Sequence, residues 1–349
     1  MRIATRLRQG HEVGQPWADV VEYVVRAEAL GVSTIWSAEA WNHDAVTPLG
    51  YLAAKTTRAR LGTAIVQVGS RSPALVATTA LTLAEMSGNR FVLGLGTSGP
   101  QVMEGWHGTS FARPLARLRE TVEIVRMVTA GDQLVYGGNE YALPLPGGEG
   151  KALRTSLPPR SIPIYLAALG PRSLELTGAV ADGWAGTLFV AEESSVYLDP
   201  IRRGAMQAGR TIDALDIQVA LPAQLTSELR PTLARVKASL AFSVGAMGSP
   251  ETNFYMRALA RAGYATELER VREHWIGGRR KAASDAVPDE LALRTSLIGD
   301  ERALREGLRA LHHAGVNTIN VNPLGTTVED KLATLGAVLA AASQLSATK

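Results

Sequence analysis

Strand and helix patterns alternate along this chain at intervals of about thirty residues, and that rhythm restricts the fold more than any other feature. A helix between two strands returns the chain to the same end, so successive strands run parallel. Pro16 opens an amphipathic run in which Val20, Val21, Val24, Ala27 and Leu30 recur at helical spacing, and Gly31 stops it. Next come strand Val32–Ser37, helix Pro48–Thr57 and strand Arg60–Val66. Ser72 as N-cap with Pro73 behind it starts a helix that ends near Gly88 and leads into strand Arg90–Leu95. After a helix from Arg113 to about Ala130 the rhythm breaks in a segment rich in Gly and Pro, within which Leu134–Leu143 reads as a small hairpin. It resumes with strand Ile164–Ala168, helix Pro171–Val180, a strand near Gly183–Leu188, helix Glu192–Ala208 and strand Ile217–Leu221. Helix Glu301–Ala314 and strand Thr318–Val321 complete the series.

With the segment ahead of Pro16 counted as the first, eight strands are expected, with insertions at about 131–163, before strand five, and about 226–287, between strands seven and eight. The pattern favours an α/β fold of the (β/α)8 TIM-barrel type, with residues 1–349 as one domain. Alternation alone leaves an open doubly wound sheet as the competitor. If the sheet closes, the active site lies at the carboxyl ends of the strands, in the βα loops.

Composition removes several function classes. The chain has no cysteine, so disulfides, thiolate metal sites, iron–sulfur clusters and a Cys nucleophile are excluded. The net charge is only +3, and thirty of the thirty-six basic residues are Arg spread along the chain, which is no nucleic-acid footprint. No apolar run approaches the roughly 18 residues of a membrane span, and Met1 leads straight into Arg2-Ile3-Ala4 without a secretory pattern. A cytoplasmic protein that touches no membrane is expected. His312 and His313 are adjacent on a helix and point apart, so they make no metal site.

Gly94-Leu95-Gly96-Thr97-Ser98-Gly99 matches the dinucleotide-binding G-x-G-x-x-G, but its context does not. That motif opens a helix directly, whereas Pro100, Gly105, Gly108 and Pro114 interrupt the chain beyond Gly99, and Glu120 and Glu123 sit within a helical run instead of ending a strand. Two readings remain: the glycines let the backbone approach a flat ligand, with Thr97 and Ser98 offering polar groups to its edge, or they simply make a tight turn.

The stretches Arg60–Gln67, Ser70–Ala74 and Gly88–Pro100 resemble the bacterial-luciferase-like superfamily. Gln101–Gly108, Tyr136–Leu143, Pro163–Pro171 and Ala181–Trp184 are similar to its F420-dependent oxidoreductase branch, relatives of methylenetetrahydromethanopterin reductase. The likeness is good over about the first 190 residues and thin from there to the eighth strand. It implies a TIM barrel holding the deazaflavin F420 at its carboxyl mouth, with a non-prolyl cis bond between Ala64 and Ile65 in a bulge after strand three.

On that resemblance the cofactor would be held by Ala64, Ile65, Val66, Gln67, Gly96, Thr97, Ser98 and Gly99, and by Ala168, Leu169, Gly170 and Pro171, where a helix start suits a phosphate. Many F420 enzymes of the family carry Asp-His where Glu39-Ala40 stand, so the acid–base role falls to Glu39, Glu104 or His43; the alternative is that His43 and Asp44 cap the next helix. Trp41, Trp106 and Trp184 are candidate walls of a substrate pocket, and His107 lies in the same loop as Glu104 and Trp106. The expected function is hydride transfer between the deazaflavin C5 and a small organic substrate, in a homodimer. The alternatives are an FMN-dependent monooxygenase or reductase on the same barrel, and a barrel that binds a flavin-like cofactor without turnover.

Overall fold

The computed structural model describes residues 1–7, 15–248 and 252–346. Its main sheet contains eight parallel strands: β1 (Arg2–Arg6), β2 (Thr34–Ser37), β3 (Arg60–Thr63), β4 (Phe91–Gly96), β5 (Ile164–Ala167), β6 (Gly183–Thr187), β7 (Asp216–Leu225) and β8 (Thr318–Pro323). Each pairs with its successor, and β8 pairs with β1 through Arg2↔Thr318 to Thr5↔Val321. The sheet is therefore closed, and the open doubly wound alternative falls. Around it run α1 (Trp17–Leu30), α2 (Val46–Ala53), α3 (Pro73–Met86), α4 (Pro114–Thr129), α5 (Pro171–Val180), α6 (Ser195–Gln207), α7 (Glu301–His313) and α8 (Val328–Ser346).

The local signals act as expected. Gly31 ends α1 in the left-handed region at φ 105°, and the Ser72 hydroxyl accepts from Leu75 N at 3.2 Å behind Pro73. Gly94–Gly99 leads only into a single turn at Pro100–Met103; the next long helix begins at Pro114. Glu120, inside that helix, accepts the backbone amides of Asn139, Glu140 and Tyr141 and so holds the short hairpin of Tyr136–Gly137 and Ala142–Leu143 against α4.

Two apolar layers make the barrel. The larger packs the outward faces of the strands, such as Ile35, Leu61, Leu93, Leu166 and Val219, against the helices. A smaller inner cluster of Ala4, Trp36, Val92 and Tyr165 fills the lumen. Gly62 and Gly183 make room for its two large rings, since a Cβ would stand 2.3 Å from the Trp36 ring at the first and 2.7 Å from the Tyr165 ring at the second. Below them Asp216 accepts from Tyr165 Oη (2.7 Å) and Thr318 Oγ1 (2.8 Å) and pairs with Arg2 (2.9 Å). This network plugs the amino-terminal end. Burial, then Asp216, pushes the Tyr165 phenol up to about 12, so it stays a donor.

The late insertion is helical and has its own apolar cluster, including Val236, Leu240, Val244, Leu259, Leu268, Val271 and Leu291. It extends beyond the expected boundary near Val287 through helix Asp289–Arg294 to a short strand, Leu297–Gly299, that pairs with Ala223–Leu225. The sequence pattern did not indicate that strand. It exists only because β7 runs ten residues, past the stretch that pairs with β6, and offers a free edge there.

Candidate active site at the carboxyl mouth

The mouth is shaped by a break in the β3–β4 ladder. Gly62 pairs with Val92 and Val66 with Leu95, so four steps along one strand oppose three along the other: a one-residue bulge. The bond between Ala64 and Ile65 is cis, at the position the resemblance indicates. Where the bulge interrupts backbone pairing, the buried Thr63 hydroxyl replaces it, accepting from Gly94 N and donating to Gly94 O, both at 2.9 Å. A Cβ on Gly94 would fall 1.8 Å from Thr63 O, and one on Gly96 would meet Ile65 at 3.0 Å and Ala167 at 3.4 Å. These two glycines let the bulge pack directly against β4.

Gln67 follows directly on the bulge. It is buried, its Nε2 donates to Ala40 O at 3.3 Å, and its Oε1 has no partner. Deeper in the lumen Trp36 Nε1, Gln218 Oε1 and Asn320 Oδ1 are likewise unpaired. Buried polar atoms without partners are costly, about 1–3 kcal/mol each, and mark places where a ligand or water completes the site. Two strand ends hold non-glycine residues in the left-handed region, Ser98 after β4 (φ 58°) and Leu188 after β6 (φ 52°); such backbone clusters at functional sites.

On the far side, β5 runs into α5 through Ala168, Leu169 and Gly170, and the helix is capped at Gly170 with Pro171 at its first position. Leu169 O accepts from Arg261 Nη2 at 2.5 Å, while Ala168 O accepts from Trp184 Nε1 at 2.9 Å. A cationic group and a helix amino terminus therefore meet at this edge of the mouth.

The family model described as luciferase-like monooxygenase matches residues 1–318. The chain belongs to the luciferase-like monooxygenase family. It is 37% identical over 324 residues, 90% of this chain and 93% of the other, to a Mycobacterium tuberculosis protein that carries the name of a coenzyme F420-dependent oxidoreductase. It is 28% identical over 316 residues, 90% and 92% of the two chains, to 5,10-methylenetetrahydromethanopterin reductase of Archaeoglobus fulgidus. Among solved structures, the coenzyme F420-dependent tetrahydromethanopterin reductase from Methanopyrus kandleri superposes with a TM-score of 0.80 over 99% of both chains at 21% identity, a likeness of fold.

Within this luciferase-like barrel the sequence-derived candidates separate. Glu39 is buried and held twice by Arg71, at 2.5 and 3.0 Å, while its Oε2 also accepts from Ala45 N at 3.1 Å. That places it as the support of the β2 loop, with both oxygens engaged, and leaves it poorly suited to moving a proton. Asp44 caps α2, accepting from Val46 N (2.9 Å) and Thr47 N (2.7 Å), as the capping alternative has it. Exposed His43 instead stands edge-on to Trp17 at 5.5 Å, beside α1. Glu104 is exposed and accepts from Phe111 N at 3.0 Å, bracing its own loop.

The tryptophans divide as well. Trp184 is fully buried behind the strands, against Phe189 and Tyr197, and acts through the Ala168 carbonyl; it points into the outer core because its neighbour Gly183 takes the lumen side. Trp41 and Trp106 are surface side chains, the latter 65% exposed. The barrel also contains groups that sequence reasoning missed: Arg71 and Arg261 at the mouth, and the amides of Gln218 and Asn320 deeper in the lumen. Arg71 stands inside a stretch that carries the family resemblance; the others come from the segment where the resemblance is thin or from strand positions whose inward direction only the closed barrel reveals. Among the described residues no group of three or more His, Asp or Glu is placed to hold a metal, and no helix is long and apolar enough to cross a membrane.

Proposed function

We propose that this chain is an F420-dependent oxidoreductase that moves a hydride between the deazaflavin C5 and a small organic substrate. The observation that carries this is the 37% identity over nine-tenths of both chains to a protein bearing that name. One observation of the mouth fits such a group: Gln67 Oε1, beside the Ala64–Ile65 bulge, is a buried acceptor without a partner.

When bound, F420 supplies two-electron hydride chemistry, so the protein's tasks are positioning, electrostatics and exclusion of water. Ala64, Ile65 and Val66 would support one ring face, Gln67 and the Gly96–Gly99 turn its polar edge, and the Ala168–Pro171 turn with Arg261 the anionic end. The substrate then approaches the opposite face, oriented so that reacting atoms meet. We place the protein in the cytoplasm as a homodimer on the expectation of its family.

Titrating the purified protein with F420 and with FMN while following fluorescence quenching tests the cofactor. Quenching by F420 at micromolar concentration is expected. Tight FMN binding without F420 binding would instead indicate the FMN-dependent alternative, and binding without turnover of any enone, imine or alcohol would indicate a non-catalytic barrel.

A further inference from the structure

One level of the barrel lumen is lined by polar groups that the fold leaves unpaired. Asp216 and Thr318 face inward and hydrogen-bond to each other at 2.8 Å across the β7–β8 pair. Two residues further along each strand, Gln218 and Asn320 point the same way, so they stand side by side one step nearer the mouth. Ala4, the register partner of Asn320, packs in the inner cluster with Trp36, whose indole lies in the lumen 5.5 Å from the Tyr165 ring. Gln218, Asn320 and Trp36 are each at most 3% exposed, and Gln218 Oε1, Asn320 Oδ1 and Trp36 Nε1 have no hydrogen-bond partner among the described residues.

The lumen admits water down to this level. On β5, β6 and β7 the inward positions Ala167, Ala185, Ala220 and Pro222 are partly exposed, whereas outward Trp184 and Val219 are buried. Ala185 is the register partner of Gln218, so a shaft lined by small side chains descends from the mouth to the unpaired amides. In the closed ring β7 and β8 stand four strands from β3 and β4, directly across the lumen from the Ala64–Ile65 bulge.

Orphaned buried polar atoms at the foot of an accessible shaft are what a ligand group completes. The indole only donates, while a carboxamide can present either end, so the occupant must both accept and donate. It must also be neutral, since Asp216 just below is already paired with Arg2 and a charge would enter without a counter-ion.

We propose that Trp36, Gln218 and Asn320 form a subsite that takes a neutral hydroxyl or carboxamide group of the substrate. Assigning it to the substrate rests on the F420 reading above: the bulge supports one face of the ring, and the other face looks across to β7 and β8. The substrate class is accordingly a small neutral alcohol or amide whose polar end enters the shaft and whose remainder reaches the ring. A substrate anchored there by a carboxylate, phosphate or ammonium end does not suit this lining.

The test follows the Trp36 indole N–H by nitrogen-15 NMR in full-length protein with and without F420, with Trp36→Phe identifying the resonance. Acetamide and glycerol serve as neutral probes, acetate and ethylammonium as charged probes of similar size. Acetamide or glycerol should shift the resonance saturably, and the charged probes at equal concentration should not. Gln218→Met and Asn320→Leu should weaken that binding at least tenfold, because each removes a hydrogen-bonding end from the subsite. Since both replace an unpaired buried group with an apolar one of similar shape, they should melt at or above the wild-type temperature and keep F420 quenching within twofold. A resonance that neither neutral probe moves overturns the proposal, as does equal binding of a charged probe. A lower melting temperature in both variants with probe binding intact would make the amides structural and overturns it too. F420 quenching weakened tenfold by either variant would give the shaft to the cofactor's own polar edge and overturns the assignment to substrate. Failure of wild-type protein to bind F420 counts against the cofactor reading instead, and the acetamide and glycerol titrations of the F420-free protein still decide the subsite.

Discussion

Gly94→Ala is the sharpest probe of how the mouth is built. A methyl group there would stand 1.8 Å from Thr63 O, a backbone atom in a buried bulge that cannot swing aside as a side chain would. Relief requires β3 and β4 to separate locally, which breaks both bonds between the Thr63 hydroxyl and Gly94. Each leaves a buried backbone group poorly satisfied, at about 1–3 kcal/mol. The expected loss is about 3 kcal/mol, or a fall in melting temperature of roughly 4 °C for a protein of this size. Since the same displacement moves the bulge proposed to support the ring, F420 quenching should weaken at least tenfold in the surviving folded protein. Gly336→Ala is the control: it lies within α8, and its added methyl meets nothing within 4 Å. Filling a helical glycine in open space should stabilise by about 0.5–1 kcal/mol. Thermal melts and cofactor titrations on both variants measure this. A Gly94→Ala protein within 0.5 kcal/mol of wild type, binding F420 normally, would refute this account of the bulge.

Three further outcomes are expected. Arg71→Leu strands the buried Glu39 carboxylate and should destabilise by about 2–3 kcal/mol, less than the 3–5 of a fully buried pair because Arg71 is partly exposed; a double variant with Glu39→Gln should recover much of the loss in denaturant melts. Glu28 is buried, which by itself raises its carboxyl, but the amides of Ala59, Arg58 and Thr57 outweigh this and leave it below the ordinary value. Its contribution is therefore present above the unfolded carboxylate value of about 4.3 and lost as pH falls through the lower folded value, so the melting-temperature gap between wild type and Glu28→Gln should narrow from pH 7 to pH 3. Trp106→Ala, at a side chain 65% exposed, should change stability by less than about 0.5 kcal/mol; a larger fall in melting temperature would mean that it packs against more than the structure shows.

Much of the barrel is legible in the sequence. Helix Pro171–Val180 falls on its expected boundaries, and Gly31, Ser72 and Pro73 act where local chemistry places them. These signals depend on residues within one turn of each other. The glycine motif is no dinucleotide loop, because Glu120 and Glu123 belong to a helix and brace a hairpin: Glu120 accepts three of its amides and Glu123 the Tyr136 hydroxyl. The site is less legible. Trp184 and Glu39 look available because a sequence carries no record of which side of a strand an aromatic takes, or of a guanidinium thirty-two residues away.

By itself the sequence determined the order of strands and helices, the absence of thiol chemistry and the family, since periodicity, caps and contiguous motifs are local properties. Only the tertiary structure decided closure, which depends on β8 meeting β1 across more than three hundred residues. It also packed a glycine motif against the bulge, through Gly94 facing Thr63 O, and brought Arg261 of the insertion onto Leu169 O at the end of the fifth strand. Those contacts are set by which faces the closed barrel turns inward, and no short stretch of sequence encodes that.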